Sequence, residues 1–228
     1  MKDKRLRNEL KYVIRKTDFA KIRGWLECYV KPDPYTIDNM YHVRSLYFDT
    51  LDSKDLQCNL DGLFLKEKFR LRYYMQSGQL RLERKVKIGE KGYKDSVSLS
   101  RDEGEKIVRG DFSPLKATGD KMRDQFYVKM AAQVYVPKTI ILFDRTPYVY
   151  GVEDTRITFD TAVSATDVTS AFFDERITSS IPILDGRFGI LEVKYNRYIV
   201  GVLQEVFAAL GTNPVANSKY TLARMYNH

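Results

Sequence analysis

One stretch in the first third of the chain, Leu65-Lys66-Glu67-Lys68-Phe69-Arg70-Leu71-Arg72-Tyr73-Tyr74, limits what the sequence can fold into more than any other. In a β-strand successive side chains point to opposite faces, so Lys66, Lys68, Arg70 and Arg72 form one basic row while Leu65, Phe69, Leu71 and Tyr73 point the other way. Cations two residues apart on a strand sit about 7 Å from one another, which in partly buried surroundings costs roughly 2 kcal/mol per pair. In open water the cost is a fraction of that, and the row by itself fits a solvated strand face. It fits a channel for a polyanion if other strands bring cations to the same place.

Other strands carry the same pattern. Residues 79–87 put Arg81, Glu83, Lys85 and Lys87 on one side against Leu80, Leu82 and Val86, with Arg84 breaking the apolar side. Residues 93–99 put Lys94, Ser96 and Ser98 opposite Tyr93, Val97 and Leu99. Residues 7–13 alternate Arg7, Glu9 and Lys11 with Leu10 and Tyr12, and residues 188–196 alternate Glu192 and Lys194 with Leu191, Val193 and Tyr195. Strands are also expected over 43–49, 138–149 and 155–160. The three strands between 65 and 99 are joined by short glycine-containing turns, which favours an antiparallel meander.

Helices punctuate these strands. Thr17 can cap one running to about residue 30, whose stripe of Phe19, Ile22, Leu26 and Tyr29, with Trp25, reads as core. Residues 51–60 suit a short helix, and Ser100-Arg101-Asp102-Glu103 is a capping box opening a helix that ends near Gly110. A helix over 121–134 carries Met122, Phe126, Met130 and Val134 until Pro137 stops it. Residues 200–210 form one closed by Gly211, and Ser218 can cap a last helix through Met225. Residues 31–34 and 160–182 read as loops. With roughly eight strands, helices at intervals and no repeat or linker, the economical reading is one α+β domain over residues 1–228, a closed barrel or strongly curved antiparallel sheet. An ordinary small barrel has an apolar interior; here the cations imply a wet, charged one.

Composition narrows the partners. Lys+Arg 38 against Asp+Glu 30 gives a net charge of +8, which points to an anion: nucleic acid, a phosphorylated small molecule or an anionic membrane surface. Cys28 and Cys58 lie in no CxxC, so they read as reduced cysteines of a cytoplasmic protein. The start of the chain carries no apolar signal segment and no run reaches membrane-spanning length, so no membrane-spanning segment is expected. Histidine is confined to His42 and the terminal His228, which argues against a histidine mechanism. Phosphate-loop, dinucleotide, zinc-protease and hydrolase signatures are all missing. Lysines and arginines on strands with a few carboxylates suit phosphoryl transfer, where positioning and charge neutralisation supply most of the catalysis.

Taken together, Glu9-Leu10-Lys11-Tyr12, Ser45 to Thr50, Arg70-Leu71-Arg72-Tyr73, Leu82-Glu83-Arg84-Lys85, Asp144-Arg145, Arg156 to Asp160, Leu191-Glu192-Val193-Lys194 and Ser218-Lys219-Tyr220 closely resemble the VTC domain in order and spacing. This is the polyphosphate polymerase domain of the vacuolar transporter chaperone family, within the triphosphate tunnel metalloenzyme (CYTH-like) superfamily. The resemblance spans about residues 7–224 and implies a closed eight-stranded antiparallel tunnel with flanking helices.

It implies roles as well. Lys11, Arg70, Arg72, Lys85, Lys94, Arg145, Arg156 and Lys219 would line the tunnel and bind phosphate, with Lys194 beside them. Glu192 would hold Mn2+ or Mg2+, and Ser218 would be a polar contact next to Lys219. The implied reaction transfers the γ-phosphoryl group of ATP to growing inorganic polyphosphate. Two departures stand out. Triphosphatase members carry ExExK on the first strand, whereas here Arg7 replaces the first acid, which tilts the choice to the polymerase branch. Phe143 stands where the polymerase pattern favours a tyrosine. Two alternatives stay open: a metal-dependent tripolyphosphate or nucleoside triphosphate hydrolase using Glu9, Glu83 and Glu192 as possible ligands, and a non-catalytic polyphosphate-binding protein. Nucleic acid is disfavoured, since aromatics such as Phe69 and Tyr73 fall on the face opposite the cations.

Overall fold

The computed structural model describes residues 6–226 except positions 35, 37, 38 and 217; His228 lies outside them. Eight long strands build the fold: β1 (Arg7–Arg15), β3 (Tyr41–Thr50), β4 (Leu65–Tyr74), β5 (Gln79–Ile88), β6 (Lys91–Ser98), β7 (Tyr135–Tyr150), β8 (Thr155–Thr166) and β10 (Phe188–Tyr195). Two-residue strands β2 (Lys31–Pro32) and β9 (Ile181–Pro182) attach to β7 and β8. The order β7-β3-β4-β5-β6-β1-β10-β8 closes on itself through pairing of β8 with β7, every neighbour antiparallel. The result is a closed eight-stranded barrel flanked by six helices: α1 (Lys16–Glu27), α2 (Lys54–Leu60), α3 (Arg101–Val108), α4 (Lys121–Ala132), α5 (Gly201–Ala208) and α6 (Lys219–Tyr226).

The barrel is inverted: its apolar faces point outward and are covered by helices. On one side Phe48, Phe69, Leu71 and Leu82 pack with Ile107 of α3 and Phe126 and Met130 of α4. Phe69 meets Phe126 edge-on at 5.5 Å and Tyr135 at 5.0 Å. On the other side Tyr12, Phe159, Leu191 and Val193 pack with Phe19, Ile22 and Leu26 of α1 and Leu203 and Phe207 of α5. Each such side chain contributes about 1.5–3 kcal/mol on burial, so these two clusters carry much of the stability of the barrel on its outside. Arg84, the break in the apolar side of β5, is neutralised there by Asp95 of β6 at 2.6 Å.

Several elements differ from their sequence reading. α1 starts at Lys16 after Arg15, without a side-chain cap, so Thr17 is not its cap. Trp25 and Tyr29 are 58% and 48% exposed; the core takes only Phe19, Ile22 and Leu26 from this helix. α4 is capped by Asp120 and ends at Ala132, Val134 is exposed, and Pro137 lies inside β7. β8 runs past Asp160 to Thr166: after an irregularity in its pairing with β7 around Ala162, at φ 50°, it pairs again from Ser164 to Thr166 with Leu142, Ile141 and Ile140. Beyond it Val163 and Ala165 join Val43, Ile141 and Phe143 in an apolar cluster, which Tyr220 and Ala223 of α6 fill. The Ser100 capping box, in contrast, is formed by both of its hydrogen bonds.

Candidate functional site

The inward faces of β1, β4, β5, β6, β8, β10 and β7 bring the predicted cations together, and they do so around buried carboxylates. Glu83 on β5 is fully buried. Arg70, its register partner on β4, donates to it through Nε at 2.8 Å and lies 2.7 Å away through a second nitrogen. Lys94 donates to its other oxygen at 2.5 Å, and Arg72 stands 3.9 Å off. Burial works to raise the Glu83 carboxyl, but Arg70, Arg72 and Lys94 hold it well below the usual carboxylate range. The rest of the Arg70 fork reaches the Tyr47 hydroxyl at 3.1 Å, and Arg72 reaches the Ser45 hydroxyl at 3.4 Å.

A second centre forms on β8. Asp160, also fully buried, accepts two bonds from Arg145 at 2.7 and 2.8 Å and one from Lys219 at 2.5 Å. Burial again opposes ionisation, and the two cations lower its pKa regardless. Three of these cations, Arg72, Arg145 and Lys219, stand over the ring of Phe143 at 6.0, 5.2 and 4.9 Å. The position where the sequence pattern favoured a hydroxyl is thus a buried aromatic floor for cations.

The third group joins β1, β5 and β10. Glu9 pairs with Lys85 at 2.5 Å and Lys11 at 3.0 Å. Glu192 pairs with Lys194 on its own strand, and the register sets Glu9 opposite Lys194 and Lys11 opposite Glu192. Arg7, which stands in place of a first acid, turns to Asp154 at 3.4 Å. Burial lowers the Lys194 amine well below its ordinary value even though Glu9 favours its charge. Ser218 caps α6, accepting from the Thr221 amide at 3.3 Å, and also accepts from Lys68 at 2.7 Å.

The structure therefore gathers Lys11, Arg70, Arg72, Lys85, Lys94, Arg145, Lys194, Lys219, Ser218 and Glu192 in one lumen. Arg156 differs: it lies on the same strand face but at the exposed rim, opposite Lys194. Two residues with clear places in the site carry no role of their own in the sequence reading, Asp160 as a keeper of the cations and Tyr47 as a partner of Arg70; Glu83, open there as a possible metal ligand, holds Arg70 and Lys94 instead, and Lys68, read only as part of the basic row, bonds to Ser218. Strand parity already puts Glu83, Asp160 and Lys68 on the basic faces; their partners depend on cross-strand register, which parity does not give.

Nine basic side chains (Lys11, Lys68, Arg70, Arg72, Lys85, Lys94, Arg145, Lys194, Lys219) share this lumen with four carboxylates (Glu9, Glu83, Asp160, Glu192) in these contacts, Lys68 through the Ser218 hydroxyl. Such an excess in a confined space attracts an anion of several charges. For a metal, the described residues contain no group of three or more acidic, histidine or cysteine side chains able to hold one. Glu192 does have beside it the buried Thr158 hydroxyl, which lacks a hydrogen-bond partner. One carboxylate with a neighbouring hydroxyl fits Mg2+ or Mn2+ brought in on phosphate oxygens, the usual manner of binding for Mg2+.

Comparison with known proteins agrees with this geometry. The family model of the VTC domain matches residues 6–227. Solved structures with a similar fold include a putative adenylate cyclase from Bacillus halodurans, 12% identical with a TM-score of 0.57, covering 94% of this chain and 95% of that one. Another is a putative adenylyl cyclase from Hippeastrum described as having a dominant triphosphatase activity, 13% identical with a TM-score of 0.58, covering 97% of this chain and 95% of that one. A Pyrococcus horikoshii protein, 13% identical with a TM-score of 0.52, covers 95% and 98%. No curated protein matches the sequence. No helix among the described residues is long and apolar enough to cross a membrane.

Proposed function

The chain belongs to the VTC domain family, and from that premise we propose that it transfers the γ-phosphoryl group of ATP to inorganic polyphosphate within the barrel. The observation that carries this reading is the lumen itself, with its cations held in place by Glu83 and Asp160 and outnumbering the carboxylates. The terminal oxygen of the acceptor chain attacks the γ-phosphorus, the bond to the β,γ-bridging oxygen breaks, and ADP leaves with its electron pair. Charge balances without any proton being removed, because the acceptor oxygen is already anionic. The chemistry asks for in-line positioning and neutralisation of negative charge, which arginine forks supply bidentately and lysines as point charges. A divalent ion on Glu192 would shield phosphate oxygens that the cations do not reach.

Hydrolysis makes a different demand, since water must lose a proton. Glu9, Glu83 and Asp160 are poor bases here, each lowered by neighbouring cations despite burial. One observation favours the hydrolase reading: the buried amines of Lys68 and Lys194, lowered well below the ordinary lysine value by burial, could accept that proton. Incubation of the purified protein with ATP and Mn2+ or Mg2+ decides between them. Acid-labile phosphate chains with matching ADP support transfer, orthophosphate supports hydrolysis, and the absence of both products with retained binding leaves a polyphosphate-binding protein.

A further inference from the structure

Where α2 packs against α6, the chain buries two carboxylates that phosphate binding does not use, Asp49 near the end of β3 and Asp55 in the first turn of α2. Unlike Glu83 and Asp160, neither forms an ion pair among the described residues; their partners are amides and hydroxyls. Asp49 accepts from the amides of Thr50 and Asp55 at 2.8 Å each, from the Leu56 amide at 3.0 Å and from the Tyr220 hydroxyl at 2.6 Å. It thereby satisfies the first turn of α2 from the preceding strand, because the residue that flanks the helix, Ser53, sits at φ 58° and makes no side-chain cap. Asp55 accepts from the Tyr135 hydroxyl at 2.9 Å.

Tyr220 links this joint to the lumen. It directly follows Ser218 and Lys219, which hold Lys68 and Asp160, and its ring stacks on Tyr47 at 5.2 Å, whose hydroxyl bonds Arg70. One hydrogen bond to Asp49 therefore bears on three groups of the candidate site. We propose that Asp49 and Asp55 are positioning residues for the lumen: while Asp55 is protonated the joint stays closed and Asp49 holds Tyr220, and ionisation of Asp55 beside Asp49 opens it and loosens Lys219, Ser218 and Arg70. Two carboxylates sharing one site resist carrying charge together. Because Asp49 is bonded to the amide of Asp55 itself, the pair cannot separate without opening the first turn of α2, and the same Asp49 holds Tyr220.

The surroundings of Asp55 set where this happens. Burial, then the charge of Asp49, pushes its carboxyl up to about 7; Glu67 of β4 adds to the rise, while Tyr135 of β7 and Lys129 of α4 oppose it. Lys68 of β4 faces it as well, an amine lowered by burial whose charge Asp55 favours. From α6 come Arg224 and Tyr220, whose phenol burial and Asp49 push far up, so that it stays a donor. On its own segment Asp52 and Lys54 are exposed. The folded value lies above the unfolded ~3.9, so the stability that neutral Asp55 contributes is complete below about pH 4 and is lost as pH rises through about 7.

The joint rests on the proposed binding of phosphate in the lumen, and its test measures tripolyphosphate affinity and melting at about pH 6 and about pH 8 for the wild type, Asp55→Asn and Tyr220→Phe. Comparing proteins at each pH cancels the titration of the phosphate and of the lumen lysines. Asp55→Asn cannot ionise, so the affinity of the wild type relative to it should fall roughly threefold or more from the lower pH to the higher. Tyr220→Phe keeps the ring on Tyr47 and removes the bond to Asp49; its binding should lose the same part of the pH dependence while its melting still responds to Asp55. A wild-type binding profile parallel to that of Asp55→Asn, with melting curves that differ, would make Asp55 merely structural and overturn the joint. Should Asp55→Asn not fold, Tyr220→Phe decides alone, and a binding profile parallel to the wild type overturns the joint. A wild type that binds no tripolyphosphate at either pH overturns the lumen reading and the joint with it.

Discussion

Lys219 of the last helix and Asp160 of the barrel wall meet at 2.5 Å, and Arg145 holds the same carboxylate through two further bonds. Asp160 thus fixes the entry of α6 into the barrel and the direction of two phosphate-binding candidates at once. Replacing it by asparagine would leave two buried cations facing a neutral amide. Removing one partner of a buried pair costs about 3–5 kcal/mol, so Asp160→Asn should lower the melting temperature sharply, and tripolyphosphate should restore part of the loss by supplying the missing anion. The pH dependence has a definite sign. The folded pKa of Asp160 is depressed, so its stabilisation is complete above the unfolded value near ~4 and is lost as pH falls below it. The variant should lack this acid limb in a pH series of melting curves.

Arg70 makes a related case for geometry over charge. Its fork spans Glu83 and Tyr47 simultaneously, which a lysine cannot do. Charge-assisted hydrogen bonds contribute about 1.5–3 kcal/mol, so Arg70→Lys should weaken tripolyphosphate binding roughly 10- to 100-fold although the charge is kept. A calorimetric titration checks it; wild-type affinity in the variant would mean that Arg70 acts only as a point charge.

What the sequence made legible was periodicity. The basic rows of Lys66 to Arg72 and of Arg81 to Lys87 follow from the two-residue repeat and sit on the inward faces as expected. The barrel closure and Glu83's role depend on register, which brings Arg70 opposite Glu83 and sets Asp160 beside Arg145. β8 reads from its sequence as ending at Asp160 because the residues beyond are mostly small or polar with weak periodicity, and the backbone itself is irregular there at Ala162. The helical stripe puts Trp25 and Tyr29 with the core because it suggests a buried face without fixing its width; here Phe19, Ile22 and Leu26 occupy it and the aromatics beyond stay in solvent.

The lysines predict proton movement on binding. Burial is the main cause that brings Lys85 down to about 8, partly offset by Glu9. Its unfolded value is ~10.4. Between these values the folded state binds fewer protons than the unfolded one, so stability should rise as pH increases from about 8 toward 10. A bound phosphate chain favours the charged amine, so binding near pH 8.5 should take up protons. Calorimetry in buffers of different ionisation enthalpy measures this directly, and a heat independent of buffer would contradict it.

Gly189 ties packing to the site. It sits on β10 where a Cβ would come within 2.5 Å of the Phe159 ring and 2.9 Å of the Asp160 carbonyl oxygen. Gly189→Ala must push on the strand that carries Asp160, at a cost of about 1–3 kcal/mol for overpacking. Lower thermal stability accompanied by weaker tripolyphosphate binding is expected; a variant melting like the wild type would show that Phe159 can move aside.

Glu192 is where binding and turnover should separate. Its carboxylate, paired with Lys194 and next to the Thr158 hydroxyl, is the lumen acid read as the metal ligand. Glu192→Gln removes one negative charge from a cationic lumen, so metal-free tripolyphosphate should bind at least as well as to the wild type. If the ion on Glu192 stabilises charge at the transferred group, metal-dependent product formation should fall by roughly 100-fold, the order found when one transition-state charge stabiliser is removed. Both readouts come from one preparation: a binding titration without metal and a product assay with Mn2+. Full activity in the variant would transfer the metal role to another carboxylate, and weakened metal-free binding would mean that Glu192 orders Lys11 and Lys194 for phosphate instead.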